Sequence, residues 1–350
     1  MKKETSQTRK TSSSPPIGKK LRLVFLGSPA CALPTLEALL SSPHSVELVI
    51  TQPDKPSGRG RRLQPPPVKK FALEKGLRIY QTRRIRKDET ALSLLQELRP
   101  DAGVVVAFGQ IIPPAILDIP PYGFLNLHFS LLPRYRGASP VAHALLNGEK
   151  KTGITIFRLN EKMDEGDIFT WREVEILPEE TAGELENRLA EIGAQLLLET
   201  LAKIDKITPQ PQDHSQATYA PLLKKEDGLI NWELTAVEIA NRIRAFTPWP
   251  SAYTFFKGER VKLLKARALS PENIYSAQPE AIGQAMSQPV LPGEIIAVDK
   301  SGIYVSCGQK TILQLLELQP ANKKAMPAFQ FSLGRRIKPG ERFSLSSSHL

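Results

Sequence analysis

The residues best suited to chemistry are an amide and an imidazole, Asn126 and His128, which stand two positions apart at the end of an apolar run. On an extended strand, residues two apart point to the same face, so these side chains would project together. Pro133 and Gly137 follow and would turn the chain away. An imidazole moves protons near neutral pH, and an amide NH2 donates to a developing oxyanion. Asp164, in an acidic turn, would orient the imidazole, which indicates an acyl-transfer site without a serine or cysteine nucleophile.

Each member of this set also has an ordinary structural interpretation. A single buried histidine more often completes a core than carries out catalysis, so His128 alone does not establish an active site. An aspartate in a turn commonly accepts hydrogen bonds from its own backbone, and Asp164 could be such a residue. Asp167 competes with it for the catalytic position. Arg134 and Arg136 either lie on the surface or pair with carboxylates, and the sequence leaves both alternatives open.

The elements around these residues alternate between strands and helices. Residues 21–26 are an apolar run ending at a Gly-Ser-Pro turn, residues 33–40 carry leucines at helical spacing, and residues 46–50 predict the next strand. A near-continuous apolar run at 101–108 indicates a strand buried on both faces. This order is typical of an α/β fold with an open, parallel, Rossmann-like sheet. Such sheets bind ligands at the carboxyl ends of their strands, where residues 126–128 are predicted to lie.

The chain changes character after a segment rich in proline, glutamine and aspartate. Residues 208–222 are the best candidate for a linker, so residues 21–207 are predicted to form one domain and residues 223–340 a second. The second contains short strand-like runs separated by turns, which is typical of a small OB-like β-barrel. The outer segments, 1–20 and 341–350, are predicted to be tails, the first of them basic and disordered.

Composition places the protein among ordinary globular proteins. Of its 350 residues, 41% are hydrophobic and 24% are charged. No apolar run approaches the roughly 20 residues that a membrane helix requires. The two cysteines, Cys31 and Cys307, lie far apart, and no histidine or cysteine spacing indicates a metal site. We expect a metal-free protein in a reducing, cytoplasmic compartment. Nothing in the sequence indicates a permanent interface, so a monomer is expected.

The positive charge is concentrated in one part of the chain. The formal net charge is +11, and residues 55–87 contain twelve Lys and Arg residues but a single acid, Glu74. Within this stretch, two glycines among four basic residues predict a mobile cationic loop at 55–62. Such a loop fits a phosphate backbone without reading its sequence. A polyanionic partner such as nucleic acid is indicated, and a solvated basic surface is the alternative.

Five motifs in one order resemble the methionyl-tRNA formyltransferase family. They are Thr-Gln-Pro-Asp at 51–54 with the Gly-Arg-Gly loop, Asn-x-His-x-Ser-Leu-Leu-Pro-Arg-Tyr-Arg-Gly at 126–137, and shorter runs at 163–167, 244–250 and 318–326. The resemblance spans roughly residues 21–340. It implies a Rossmann-like formyltransferase domain followed by an OB-like barrel. It also implies an enzyme that formylates the amino group of initiator methionyl-tRNA, with 10-formyltetrahydrofolate as the formyl donor.

The same resemblance implies roles for individual residues. The catalytic set would be Asn126, His128 and Asp164. The folate would be bound by the loop that follows the histidine: Ser130, Leu131, Leu132 and Pro133. The tRNA would be bound by the cationic loop and by a basic turn in the second domain: Arg59, Arg61, Arg62, Lys323 and Lys324. The last two could also be a solvated turn.

Three other functions fit part of this pattern. A formyltransferase acting on a sugar nucleotide or another small amine would use the same amide, imidazole and carboxylate. A formyltetrahydrofolate hydrolase would pass the formyl group to water. Neither needs the cationic loop or the second domain, so both are disfavoured. An RNA-binding protein with a decayed catalytic domain is disfavoured because Asn126, His128 and Asp164 are all present.

Overall fold

The computed structural model describes residues 19–57, 62–269 and 289–346. Arg59 and Arg61 lie outside these ranges, as do nearly all of the predicted N-terminal tail and the last four residues. Within the described ranges, no helix is long and apolar enough to cross a membrane.

The N-terminal half alternates strands and helices, as its apolar runs predict. In chain order its strands are β1 (Arg22–Gly27), β2 (Ser45–Thr51), β3 (Lys55–Ser57), β4 (Arg62–Gln64), β5 (Ile79–Gln81), β6 (Ala102–Val106), β7 (Phe124–His128), β8 (Lys151–Arg158) and β9 (Ile168–Glu175). Its helices are α1 (Leu33–Leu40), α2 (Pro67–Glu74), α3 (Glu89–Leu98), α4 (Pro114–Leu117), α5 (Pro140–Leu146) and α6 (Ala182–Ala202).

Seven of these strands form one sheet in the order β5-β2-β1-β6-β7-β8-β9. The pairings from β5 to β7 are parallel, which confirms the predicted Rossmann-like sheet. β8 and β9 then extend it in antiparallel fashion. β1 and β6 are apolar and almost entirely buried because both sheet faces are covered, whereas the edge strand β9 mixes buried and exposed residues.

A glycine sets the position at which β7 begins. A Cβ atom on Gly103 of β6 would lie 2.0 Å from the ring of Phe124, so only glycine leaves room for this phenylalanine. Phe124 is the first residue of β7, and its side chain is fully buried. This contact fixes the start of the strand that carries Asn126 and His128.

In its described ranges, 223–269 and 289–346, the C-terminal half is an antiparallel sheet with two helices packed on it. Its strands are β10 (Tyr253–Phe256), β11 (Glu259–Ala268), β12 (Ile295–Asp299), β13 (Gly302–Ser306), β14 (Ile312–Pro320), β15 (Met326–Pro327) and β16 (Phe343–Ser344). The sheet order is β12-β13-β14-β11-β10-β16, with β15 added to β14. Its helices are α7 (Ala236–Ala245) and α8 (Ala328–Arg335).

The short strand β16 brings the two edges of this sheet together. Phe343 pairs with Phe256 of β10 on one side, and its N–H donates to the carbonyl of Gly293, just before β12, at 2.9 Å on the other. The Phe343 ring is 1% exposed and stacks on Trp232 with the ring centroids 5.5 Å apart. The barrel-like architecture was therefore predicted from the spacing of the strands. Phe343 and Ser344 lie past residue 340, the predicted end of this domain, and Phe343 packs in the core of the barrel, whereas the domain bounds themselves remain a prediction.

Phe343→Ala is expected to lower the free energy of unfolding by about 3 kcal/mol, because truncating a buried phenylalanine removes apolar contacts and leaves a cavity. Leu345→Ala is the matched control, since Leu345 is 51% exposed. Its effect is expected to stay within about 0.5 kcal/mol. Urea unfolding of the two variants measures both values. Equal effects would mean that residues 343–345 are a tail and not a strand of the barrel.

The predicted linker runs back over the N-terminal half. Gln210 exchanges two backbone hydrogen bonds of 2.8 Å with Ile168 of β9, and the side chain of Gln212 is buried. The two halves also touch directly. Glu179, before α6, forms ion pairs with Lys265 at 2.9 Å and with Arg267 at 2.5 Å, both on β11. Farther along the segment at 208–222, Thr218 accepts the backbone N–H of Arg136 at 2.8 Å and Ala220 donates to the Arg136 carbonyl oxygen at 2.7 Å, so the segment packs against the loop that follows β7.

Candidate active site

The strand β7 positions both Asn126 and His128, which we call the central pair. Asn126 lies between Val105 of β6 and Phe157 of β8, and His128 lies opposite Thr155 of β8. Asn126 is partly exposed, whereas His128 is 6% exposed. Residues two apart on a strand share a face, so the amide and the imidazole project from the same side of the sheet, as predicted.

The two ring nitrogens of His128 face different partners. Nε2 lies 2.9 Å from the backbone carbonyl oxygen of Tyr135. A carbonyl oxygen only accepts hydrogen bonds, so Nε2 carries the hydrogen and donates it. Nδ1 faces Oδ2 of Asp164 at 3.8 Å. In the neutral imidazole Nδ1 therefore has the free lone pair, and this nitrogen is the one able to accept a proton from a substrate.

The carboxylate of Asp164 is held by the loop that follows the histidine. Asp164 has a left-handed backbone with φ 54°, and its Oδ2 accepts the backbone N–H of Gly137 at 2.7 Å. Gly137 itself has φ 119°, and a Cβ there would lie 2.7 Å from the carbonyl oxygen of Ala220. Asp167 is exposed instead. The structure thus brings Asp164, and not Asp167, to the imidazole.

Asp164→Asn is expected to lower kcat about tenfold to a hundredfold for the formyl transfer that the resemblance implies, because an amide cannot stabilise a protonated His128 as a carboxylate does. Asp167→Asn removes the same charge three residues further along and should leave kcat unchanged. Steady-state kinetics with both variants measures the difference. A larger loss for Asp167→Asn would contradict the assignment that the geometry supports.

The predicted folate contacts lie on the loop at 130–133, and hydrogen bonds to Thr155 of β8 hold its backbone in place. Thr155 Oγ1 donates to the Ser130 carbonyl oxygen at 2.7 Å and accepts the backbone N–H of Leu132 at 3.1 Å. The Ser130 hydroxyl is engaged as well, since it donates to the carbonyl oxygen of Arg134 at 2.7 Å. Ser130 and Leu132 are buried, whereas Leu131 and Pro133 are partly exposed. The exposed pair presents the surface that a ligand can touch, and the buried pair supports it.

The sequence left the role of Arg136 open, and the structure buries it with 1% exposure. Its guanidinium donates to Gln212 Oε1 through Nη2 at 2.7 Å and through Nε at 3.1 Å. Nη1 lies 3.5 Å from Oε1 of Glu165. The amide of Gln212 in turn donates to the carbonyl oxygens of Asp164 at 2.9 Å and Gly166 at 2.8 Å. Arg136 therefore supports, through Gln212, the backbone of the loop that carries Asp164.

The predicted tRNA contacts lie on the surface or outside the described residues. Arg62 is exposed at the start of β4, and Lys323 and Lys324 are exposed in the turn that follows β14. Arg59 and Arg61 belong to residues that the structure does not describe. These five roles remain predictions. Among the described residues, no group of three or more His, Cys, Asp or Glu side chains could hold a metal ion.

Two family models match the chain. The model described as Formyl transferase matches residues 21–201, and the model described as Formyl transferase, C-terminal domain, matches residues 222–336. The methionyl-tRNA formyltransferase of Heliobacterium modesticaldum is 44% identical over 325 residues, which cover 92% of this chain and 100% of that protein.

Solved structures share the fold. HypX from Aquifex aeolicus, in complex with tetrahydrofolic acid, has a TM-score of 0.57 at 16% identity, covering 90% of this chain and 47% of that one. An N-formyltransferase from Helicobacter canadensis, in complex with folinic acid and dTDP-3-aminofucose, has a TM-score of 0.56 at 17% identity, covering 85% of this chain and 98% of that one. The identity to the Heliobacterium protein extends over both halves. This chain therefore belongs to the methionyl-tRNA formyltransferase family.

Proposed function

We propose that this chain transfers the formyl group of 10-formyltetrahydrofolate to the free amino group of initiator methionyl-tRNA. Membership of the family supports the reaction, and one observation carries the chemistry. Asn126 and His128 lie two residues apart on one face of β7, and Nδ1 of His128 lies 3.8 Å from the carboxylate of Asp164. We place the reaction in the cytoplasm and expect a monomeric enzyme.

The first step forms a bond between nitrogen and carbon. The amino group of the methionyl ester attacks the formyl carbon, and the carbonyl electron pair moves onto oxygen to give a tetrahedral oxyanion. The NH2 group of Asn126, a partly exposed residue of β7, donates a hydrogen bond to that oxygen. One such donor typically supplies roughly 2.7–4 kcal/mol of transition-state stabilisation.

The second step moves one proton and breaks one bond. Nδ1 of His128 takes a proton from the attacking nitrogen, because Nε2 is already committed to the Tyr135 carbonyl. The resulting imidazolium is stabilised by the Asp164 carboxylate, 3.8 Å from Nδ1. The same nitrogen then gives the proton to N10 of the folate as the carbon–nitrogen bond breaks. The products are formylmethionyl-tRNA and tetrahydrofolate, and the imidazole returns to its neutral form.

The residues present fit a folate donor beside this centre. Leu131 and Pro133 offer partly exposed apolar surface next to His128, on a loop that Thr155 holds in place. A rigid apolar platform with few polar groups is the usual setting for a small ligand. We assign the donor to this surface, with Ser130 and Leu132 supporting it from below.

The acceptor is proposed to be a tRNA and not a small amine. The 44% identity to a methionyl-tRNA formyltransferase and the cationic stretch from 55 to 87 support this choice, because a small amine offers no phosphate backbone for such a stretch to bind. Exposed cations such as Arg62 and Lys323 fit contact with a phosphate backbone. The competing acceptor is an amino-sugar nucleotide, the ligand type of the Helicobacter canadensis structure.

A parallel assay of three acceptors tests the proposal. Formyl transfer from 10-formyltetrahydrofolate is measured with charged initiator methionyl-tRNA, with free methionine and with an amino-sugar nucleotide. We expect transfer to the charged tRNA at a kcat/KM at least a thousandfold above the other two. Preferential transfer to the sugar, or release of formate to water alone, would overturn the proposed acceptor.

A further inference from the structure

Four exposed cations form a cluster just after β5: Arg83, Arg84, Arg86 and Lys87. Within the part of the chain that the structure describes, none of them forms an ion pair with a carboxylate. Their neighbour Lys69 differs, because its ammonium group lies 2.8 Å from the carboxylate of Asp54. The cluster is therefore a local excess of positive charge that the protein itself does not neutralise.

The backbone of this cluster is fixed and not a loose loop. Gln110, which follows β6, accepts the N–H of Ile85 at 2.8 Å and donates to the carbonyl oxygen of Thr82 at 3.0 Å. The Ile85 side chain is 1% exposed and anchors the segment in the core. Asp88 then caps α3 by accepting the N–H of Ala91 at 3.0 Å. The four cations thus project from a pre-organised platform, which limits the entropy lost when a ligand binds.

The cluster lies at the same edge of the sheet as the candidate active site. β5 and β7 are parallel members of one sheet, so their carboxyl ends point the same way. Four strand spacings separate them, which places the cluster about 19 Å from the strand that carries His128. That span corresponds to a few nucleotides of extended chain. The reacting amino group is attached to the 3′ end of the tRNA, so phosphates a few nucleotides back reach the cluster.

We propose that Arg83, Arg84, Arg86 and Lys87 bind phosphates of the tRNA where its unpaired 3′ end joins the acceptor stem. The inference rests on the proposed function and adds a contact surface to it. Guanidinium groups suit this role because they bind phosphate oxygens in pairs and stay charged. The contacts are to the backbone, so they position the acceptor end and carry no sequence information.

The test compares two double variants at the two ends of β5. Arg83→Gln with Arg84→Gln removes two charges at the carboxyl end of β5. Lys75→Gln with Arg78→Gln removes two exposed charges at the opposite edge of the sheet. For the first variant we expect the KM for methionyl-tRNA to rise about tenfold at low salt. Its kcat and its KM for 10-formyltetrahydrofolate should not change, and the control variant should resemble the wild type.

Two further measurements make the outcome specific. A plot of log affinity against log salt concentration has a negative slope. In the variant with Arg83 and Arg84 replaced, this slope should become less steep by about 1.8, since each lost phosphate contact removes about 0.9. The KM effect should persist on a charged minihelix that contains only the acceptor stem. Equal KM values for the two variants, or an effect lost on the minihelix, would overturn the inference. Failure of the proposed function is a separate result, because the wild type itself would then not formylate the charged tRNA.

Discussion

Replacing His128 with alanine is expected to lower kcat for formyl transfer by about two to four orders of magnitude, the range typical of a lost general acid–base group. The reason is the placement of its ring. Nε2 is fixed by the Tyr135 carbonyl at 2.9 Å, so we propose that Nδ1 takes the proton from the attacking amine. Without it that proton must leave to water. The KM values for folate and tRNA should change little, because the role proposed for the imidazole is proton transfer and not substrate binding.

His44→Ala is the matched histidine control. The Nδ1 atom of His44 accepts the backbone N–H of Leu21 at 3.2 Å, next to the amino ends of β1 and β2, whereas the site residues lie at the carboxyl ends of the parallel strands. We expect some loss of thermal stability in this variant and an unchanged kcat. Single-turnover rates at saturating substrate, measured for both variants, separate chemistry from binding. A His128→Ala enzyme that turns over at the wild-type rate would remove the imidazole from the mechanism.

Arg136→Met is expected to destabilise the N-terminal domain by about 3 kcal/mol, the low end of the range for breaking a buried ion pair. The change removes four contacts at once: two hydrogen bonds to Gln212, one contact with Nδ1 of His214 at 3.0 Å, and the charge contact with Glu165. It leaves Oε1 of Gln212 buried without its donor. Gln212 also holds the carbonyl of Asp164 at 2.9 Å, so a loosened amide should lower kcat as well.

Arg134→Met is the matched control for this prediction. Arg134 stands two residues earlier on the same loop, its side chain is 50% exposed, and it pairs with Glu149 at the surface. Exposed pairs of this kind contribute about 0–1 kcal/mol, so little change is expected. Urea unfolding and kcat are measured for both variants, together with Arg136→Lys, which keeps the charge but loses the guanidinium fork. If Arg134→Met proved as damaging as Arg136→Met, burial would not be the source of the effect.

Local patterns were sufficient to predict the sheet and the central pair. Asn126 and His128 share a face because strand side chains alternate, and this rule needs no knowledge of the rest of the fold. The apolar runs that form β1 and β6 predicted parallel strands for a different local reason. A strand that is covered on both faces is apolar along nearly its whole length. The turns between short strands likewise predicted the barrel. The resemblance to a known family supplied the roles.

Contacts between distant residues were not predictable in this way. Asp164 and Asp167 sit in the same turn, and the choice between them depends on Gly137, whose N–H reaches only one carboxylate. Arg136 donates a hydrogen bond to Gln212, which lies in the segment that was predicted from its composition to be a linker. Neither pairing leaves a periodic signal in the sequence. The strand at Phe343 was missed because two residues are too few to show any alternation.

The most direct measurement follows the formyl group itself. The wild-type protein is incubated with 10-formyltetrahydrofolate labelled in the formyl carbon and with charged initiator methionyl-tRNA. The ester is then hydrolysed, and the released amino acid is analysed. We predict label on the α-amino group of methionine, and none when Asn126, His128 and Asp164 are all replaced by alanine. Label recovered only as formate, or equal labelling by the triple variant, would contradict a transfer reaction carried out at this site.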